Sequence, residues 1–137
     1  MFESTIINKL ASDATLTGIL TTFAGQPSIF SNDAPEDAVT PFVIITIFGG
    51  ERLEPIQMYS LFVDYYDFFE SRVNARIAAR RIQYQLDNQR LQPTNFTDIR
   101  VWQFGGATWI SGEDPRDIHI NQQFYIRATL TNEFIET

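Results

Sequence analysis

The chain contains no cysteine, which excludes disulfides, thiolate zinc sites and cysteine nucleophiles. It has one histidine, His119, so a histidine-rich metal site cannot form. Basic residues are scarce: ten Lys and Arg stand against 17 Asp and Glu, for a formal net charge of −7 at pH 7. A sequence-independent nucleic-acid binder needs a basic face for its phosphate contacts, so direct DNA or RNA binding is disfavoured. No apolar run approaches the roughly 20 residues of a membrane span. The opening MFESTIINKL lacks the basic region and long apolar core of a secretory signal. The expectation is a protein made and kept in a cytoplasm-like compartment, or released by lysis. Neither Gly49–Gly50 nor Gly105–Gly106 sits in GxGxxG or GxxxxGK spacing, and no Asp-x-Asp-x-Asp calcium loop occurs.

What is present fits one domain, residues 1–137. About two-thirds of the unfolded surface of such a chain can be buried, enough for its own core. Apolar residues make up 44% and charged residues 20%, which is a globular balance rather than a disordered one. Aromatics reach 14%, with 12 Phe, 5 Tyr and 2 Trp. That supply fits either a Phe-rich core or a fold with more than one buried surface.

Two short helices open the chain. Phe2, Ile6, Ile7 and Leu10 share one helical face; Leu16, Ile19, Leu20 and Phe23 share another, after a break at Ser12 or Asp13, either of which can cap. Gly25 and Pro27 stop the second helix, and residues 24–41 form a connection with a short extended piece near Ser28 to Phe30. Phe42 to Phe48 is apolar on both alternations, which predicts a strand covered on both sides. A loop over about 49–58 leads to a second strand at about Tyr59 to Phe68. The next segment, Glu70 to about Leu91, is helical. Strands follow at about Thr97 to Phe104, resuming at Ala107 to Ile110, and at Ile118 to Leu130. The last alternates cleanly, with Ile118, Ile120, Phe124, Ile126, Ala128 and Leu130 on one side, interrupted only by Gln122. The expected architecture is α+β: a mostly antiparallel, four-stranded curved sheet flanked by the N-terminal helices and one long helix, in the order ααββαββ.

The long helix carries two apolar stripes. Ala75, Ala78, Ala79, Ile82 and Leu86 cluster on one side; Val73, Ile77, Tyr84 and Leu91 lie nearly opposite. The small residues suit close packing on a sheet. The second stripe meets either the N-terminal helices or a neighbouring subunit. Arg72, Arg76 and Arg80 recur at i, i+4, i+8 along one edge, where like charges repel by a few tenths of a kcal/mol per pair. Carboxylates from an acidic loop such as Glu36–Asp37 or Glu113–Asp114, of this or another subunit, are the natural compensation.

Polar groups with catalytic potential are few and scattered along the chain. His119 lies on the polar face of its strand with no fixed-spacing partner, and Asp64 and Asp67 fall on opposite faces of theirs. Glu113, Asp114 and Asp117 sit in a Gly/Pro turn that reads as a solvated loop. No catalytic, cofactor-binding or metal-ligating residue is assigned, and no cofactor is expected. Should the chain instead be a small ligand-binding domain or hydrolase, His119, Asp64 and Tyr66 are its best polar groups.

The order of short cues is familiar: Ile29–Phe30 and Ala34-Pro35-Glu36 after a helical pair, then Pro-Phe-Val-Ile-Ile at 41–45. Asp-Phe-Phe-Glu follows at 67–70, then an Ala/Arg-rich helix, then Asp-Pro-Arg-Asp at 114–117 before a long strand. Over nearly its whole length this resembles the tail-completion, or tail-terminator, proteins of long-tailed bacteriophages and related gene-transfer particles. The resemblance implies a non-enzymatic virion protein, assembled in the host cytoplasm. It implies a hexameric ring that caps the tail tube and joins it to the head connector, with DNA passing unbound through its channel. Arg72, Val73, Arg76, Ile77, Arg80 and Tyr84 would then face the neighbouring subunit. Gly49, Gly50, Glu51 and Arg52, with Glu113, Asp114 and Arg116, would face tube or connector. The alternative within the virion is a neck protein, a connector or stopper on the head side.

Overall fold

The computed structural model describes residues 3–53, 56–92 and 96–130, with side chains omitted at 50–53, 96–98 and 130. Phe2 and Leu130 of the expected apolar faces thus lie outside the described residues or side chains.

Helix α1 (Glu3–Ala11) buries Ile6 and Leu10, four residues apart on one face. Asp13, not Ser12, caps α2 (Ala14–Ile19): its Oδ1 accepts from the Leu16 backbone N–H at 2.9 Å. The second helix stops well short of Phe23. That residue belongs to a tiny hairpin, β1 (Thr22–Phe23) with β2 (Gln26–Pro27), whose turn residues Ala24 and Gly25 have φ of 51° and 80°. Two consecutive positive φ values define the turn type that matches strand twist.

Among the described residues the main sheet has seven strands: β3 (Ile29–Ser31), β4 (Phe42–Leu53), β5 (Ile56–Phe68), β6 (Gln89–Leu91), β7 (Phe96–Gln103), β8 (Thr108–Ile110) and β9 (Asp117–Leu130). Their order is β3-β4-β5-β9-β7-β6, with β8 also pairing to β9. Only β3–β4 is parallel. The expected four-stranded antiparallel sheet is therefore corrected to a seven-stranded mixed one. The additional pieces, β3, β6 and β8, are three residues each: β3 is the expected extended piece near Ser28 to Phe30, β8 lies in the piece expected to resume the third strand, and β6 falls within the expected helix.

All three helices cover one face. Val43 and Ile45 of β4, Leu61, Val63 and Tyr65 of β5, Ile99 and Val101 of β7, and Ile118, Ile120, Phe124 and Ile126 of β9 form one buried layer beneath them. Helix α3 (Val73–Leu86) contributes Ala75, Ala78, Ala79, Ile82 and Leu86, and the three alanines let it lie close to β5, β7 and β9. Gln122 interrupts the apolar face of β9 without cost to its amide: Nε2 donates to the Ala79 carbonyl at 2.9 Å.

Four further expectations need correction. The long helix begins at Val73 rather than Glu70 and ends at Leu86. Asn88 adopts φ 56°, which breaks the helix, and Leu91 belongs to β6. The expected loop at 49–58 is mostly strand. The β4–β5 hairpin continues from Phe42↔Tyr66 to Leu53↔Ile56, passing an irregularity between Gly49 and Glu51 where Gly49 has φ 90°. Ala107 to Ile110 does not resume β7 but pairs separately beside His119–Asn121. Lastly, β4 is covered by helices on one side only. Phe42 and Ile44 on its other side are half-buried among their own neighbours, and Phe48 is exposed.

Candidate functional site

The helix-free face of the sheet carries the aromatic surplus. Edge-to-face or tilted rings run from Phe23 through Phe30 and Phe42 to Tyr66, at centroid separations of 5.6, 5.9 and 5.4 Å. Tyr66 then stacks on the His119 imidazole at 4.2 Å. A second group comprises Phe48–Phe62 and the Trp102–Tyr125–Phe104 set. Such arrangements let large rings stay ordered on a face no helix covers.

Register brings His119 and Asp64 together. Tyr66 faces His119 and Asp64 faces Asn121 across the β5–β9 ladder. The imidazole Nε2–H donates to Asp64 Oδ1 at 2.8 Å, and Asn121 Nδ2 donates to the same oxygen at 2.9 Å. Burial, and secondarily the Asp64 charge, push the Tyr66 phenol above its ordinary range. His119, Asp64 and Tyr66, separated by up to 55 positions, thus form one cluster. It is a histidine–carboxylate pair in which Asp64 holds the Nε2 side of the ring, the nitrogen that faces the nucleophile in a serine-hydrolase triad. Among the described residues no hydroxyl bonds to the imidazole, and the cluster lies on a broad sheet face.

Helix α3 presents its second stripe outward. Val73 is 58% and Tyr84 67% exposed, while Ile77 is half-buried. Arg72 donates to the Pro115 carbonyl at 3.3 Å and lies over the Trp109 ring. Among the described residues, no carboxylate pairs with Arg72, Arg76 or Arg80. Asp114, one expected source of compensation, is instead taken by Arg116, in two contacts of 2.9 and 3.1 Å. These bonds hold the Asp114 carboxyl below its usual range.

Arg81, which the sequence did not single out, reaches from its partly exposed position to the buried carboxylate of Asp13. Its Nε and a terminal nitrogen each lie 2.7 Å from Asp13 Oδ2, and Gln85 Nε2 lies 2.8 Å from it. Burial raises the Asp13 carboxyl, but these bonds and the Leu16 N–H outweigh it and bring it to about 2. A second omission is a row of arginines, Arg90, Arg100 and Arg127, created by strand register alone.

The two expected partner-facing segments occupy opposite ends of the sheet. Gly49, Gly50, Glu51 and Arg52 lie in the hairpin near Ile56, beside the C-terminal end of β9. Glu113, Asp114 and Arg116 lie in the turn before Asp117, beside Phe68. At about 3.4 Å per residue along β5, roughly 40 Å separates them. Arg116 rests over the Phe68 ring, and its carbonyl accepts from the Phe69 N–H at 3.0 Å, fixing the turn to the end of β5.

The architecture is therefore a mixed sheet with helices on one face and, among the described residues, an aromatic face that no helix covers. No protein-family model matches the chain, and no curated protein matches it. Sixteen chains of solved structures match. One is a chain from a structure titled "Virion of native gene transfer agent (GTA) particle", with a TM-score of 0.69 at 13% identity, covering 90% of this chain and 91% of that one. The likeness is one of fold across essentially both whole chains.

Proposed function

We propose that this chain is a non-enzymatic structural protein of a phage-like virion, a tail terminator. The observation that carries this reading is the end-to-end fold likeness to a chain of a gene-transfer-agent virion. As a terminator it forms a hexameric ring, caps the tail tube and joins it to the head connector or neck protein. DNA passes through the channel without specific binding, and assembly takes place in the host cytoplasm.

Surface chemistry supports an assembly role. Val73, Tyr84, Phe104, Trp109 and Ile110 are all at least 39% exposed. Exposed large apolar side chains of this kind, three of them aromatic, mark interaction surfaces. Arg72, Val73, Arg76, Ile77, Arg80 and Tyr84 form the α3 surface assigned to the neighbouring subunit. The hairpin at 49–52 and the turn at 113–116 meet different partners, which their placement at opposite sheet ends permits. The test is native mass over a concentration series, then electron microscopy with and without purified tail tubes. A sixfold ring of about 95 kDa, six times the 15.8 kDa chain, that caps tube ends is the expected result. A chain that neither forms a ring nor binds tubes contradicts the reading. Binding to connectors alone favours the neck role.

One observation favours a second reading, a small ligand-binding domain or hydrolase: the His119–Asp64–Tyr66 cluster. Turnover of simple esters or phosphoesters, abolished by His119→Ala, would establish it.

A further inference from the structure

Three neighbouring strands set Arg90 opposite Arg100 and Arg100 opposite Arg127. Directly opposed like charges destabilise a sheet. All three arginines are exposed, and among the described side chains none has a carboxylate partner. Among the described residues Arg100 donates to Asn88 Oδ1, at 3.5 Å. The strands carrying them hold one acidic residue near the row, Asp98, so the patch keeps a positive balance in a chain of net charge −7. Its surface is concave: one depression is lined by Asn88, Arg100, Trp102 and Arg127, and an adjoining one by Arg90, Arg100, Arg127 and Thr129. A row of opposed arginines in a hollow, with no carboxylate partner among the described side chains, suits the docking of an anionic partner.

The complementary surface is on the same molecule, at the other edge of the sheet. The row lies at the β6–β7–β9 edge; β3 forms the opposite edge, and the loop leaving it carries Asp33, Glu36 and Asp37. All three acids are exposed, and Glu36 and Asp37 have no cationic partner among the described residues. Val39, in the same loop, is 65% exposed and gives the loop an apolar tip to set against Trp102. An acidic loop at one edge and a basic hollow at the other cannot meet within one copy, but can in a row of copies. Contacts between two different surfaces of one protein are heterologous, and they close into rings when the rotation allows.

We propose that copies of this chain join head to tail, the loop bearing Asp33, Glu36 and Asp37 of one seated on the Arg90–Arg100–Arg127 row of the next. The contact deepens the ring reading above and rests on it. It is distinct from the α3 surface.

The test is charge exchange in the full-length chain, with folding checked by circular dichroism. One variant carries Arg100→Glu and Arg127→Glu; the other carries Glu36→Lys and Asp37→Lys. By sedimentation at about 50 mM salt the parent chain self-associates, and raising the salt to about 500 mM weakens it by screening. Each variant alone associates at least about tenfold more weakly. An equimolar mixture recovers the parent mass, because every contact in an alternating array again joins opposite charges. A parent chain that stays monomeric, variants that assemble like the parent, or a mixture that fails to recover would each overturn the contact. Rings indifferent to both exchanges would do so while leaving the terminator reading intact. Charge-dependent rings that ignore tail tubes would uphold the contact and remove the reading. Labelled duplex DNA bound by the parent and lost with the arginine exchange, self-association unchanged, would reassign the row to nucleic acid and overturn the proposal.

Discussion

Gln122 and Ala79 are joined by a hydrogen bond of 2.9 Å from the glutamine Nε2 to the alanine carbonyl, fastening the centre of β9 to the centre of α3. Gln122 is 2% exposed and surrounded by the apolar core. Gln122→Ala removes the bond and leaves a void, and is expected to cost about 2 kcal/mol. Gln122→Met fills the space and should cost about half as much. Urea denaturation of the two variants checks the order; equal stability of Gln122→Ala and the parent would count against the role.

Asp13 makes stability depend on acid. Its carboxyl is brought to about 2 in the folded chain, against an ordinary value near 3.8. The contribution is thus fully present above about pH 4 and disappears as pH falls toward 2. Arg81 is one-third exposed, so solvent screening holds the contribution to the order of 1 kcal/mol. Asp13→Asn should flatten this acid limb while keeping much of the α2 cap, since asparagine caps as well as aspartate. Melting curves of both proteins between pH 2 and pH 6 read the difference.

On α3, Arg76→Glu with Arg80→Glu should weaken ring formation and leave the monomer folded. Both side chains are exposed and neither has a described carboxylate partner. Each single replacement is therefore expected to change stability by no more than about 0.5 kcal/mol. Native mass and circular dichroism together make the measurement; unchanged oligomer mass would remove this surface from the interface.

Gly112 stands against the side chain of Asp117. A Cβ at position 112 would lie 2.5 Å from the Asp117 Cβ and 2.7 Å from its Oδ2. Gly112→Ala must displace the turn that carries Asp114 and Arg116, at a cost of about 1–3 kcal/mol. If that turn meets a virion partner, the variant loses partner binding more than it loses thermal stability. Parallel melting and pull-down measurements separate the two effects.

His119→Ala should leave assembly unchanged and cost about 1 kcal/mol for its bond to Asp64 and its stack on Tyr66. Assembly assays and denaturation check this.

Long periodic segments were legible in the sequence. The alternation from Ile118 to Ala128 and the small-residue stripe from Ala75 to Leu86 appear in the structure as buried faces. Gly49, Gly50, Glu51 and Arg52 look like loop residues, yet cross-strand pairing carries the β4–β5 hairpin through them past an irregularity. Among site residues, the sequence offered His119, Asp64 and Tyr66 as isolated groups; only register places them side by side. The Arg90–Arg100–Arg127 row was invisible for the same reason. Nothing in the local sequence tells which strand lies next to which. The Asp13–Arg81 pair spans 68 positions between helices, beyond any local spacing rule.

The long strand β9 is hydrogen-bonded to β5 along nearly its entire length, from Phe68↔Asp117 to Ile56↔Thr129, and is flanked on its other side by β8 and β7. A load directed along β9 therefore falls on many ladder bonds in shear at once rather than opening them one after another. Pulled end to end, the domain should yield last at its middle, with the hairpin tip and the turn before Asp117 linked by a single stiff rod.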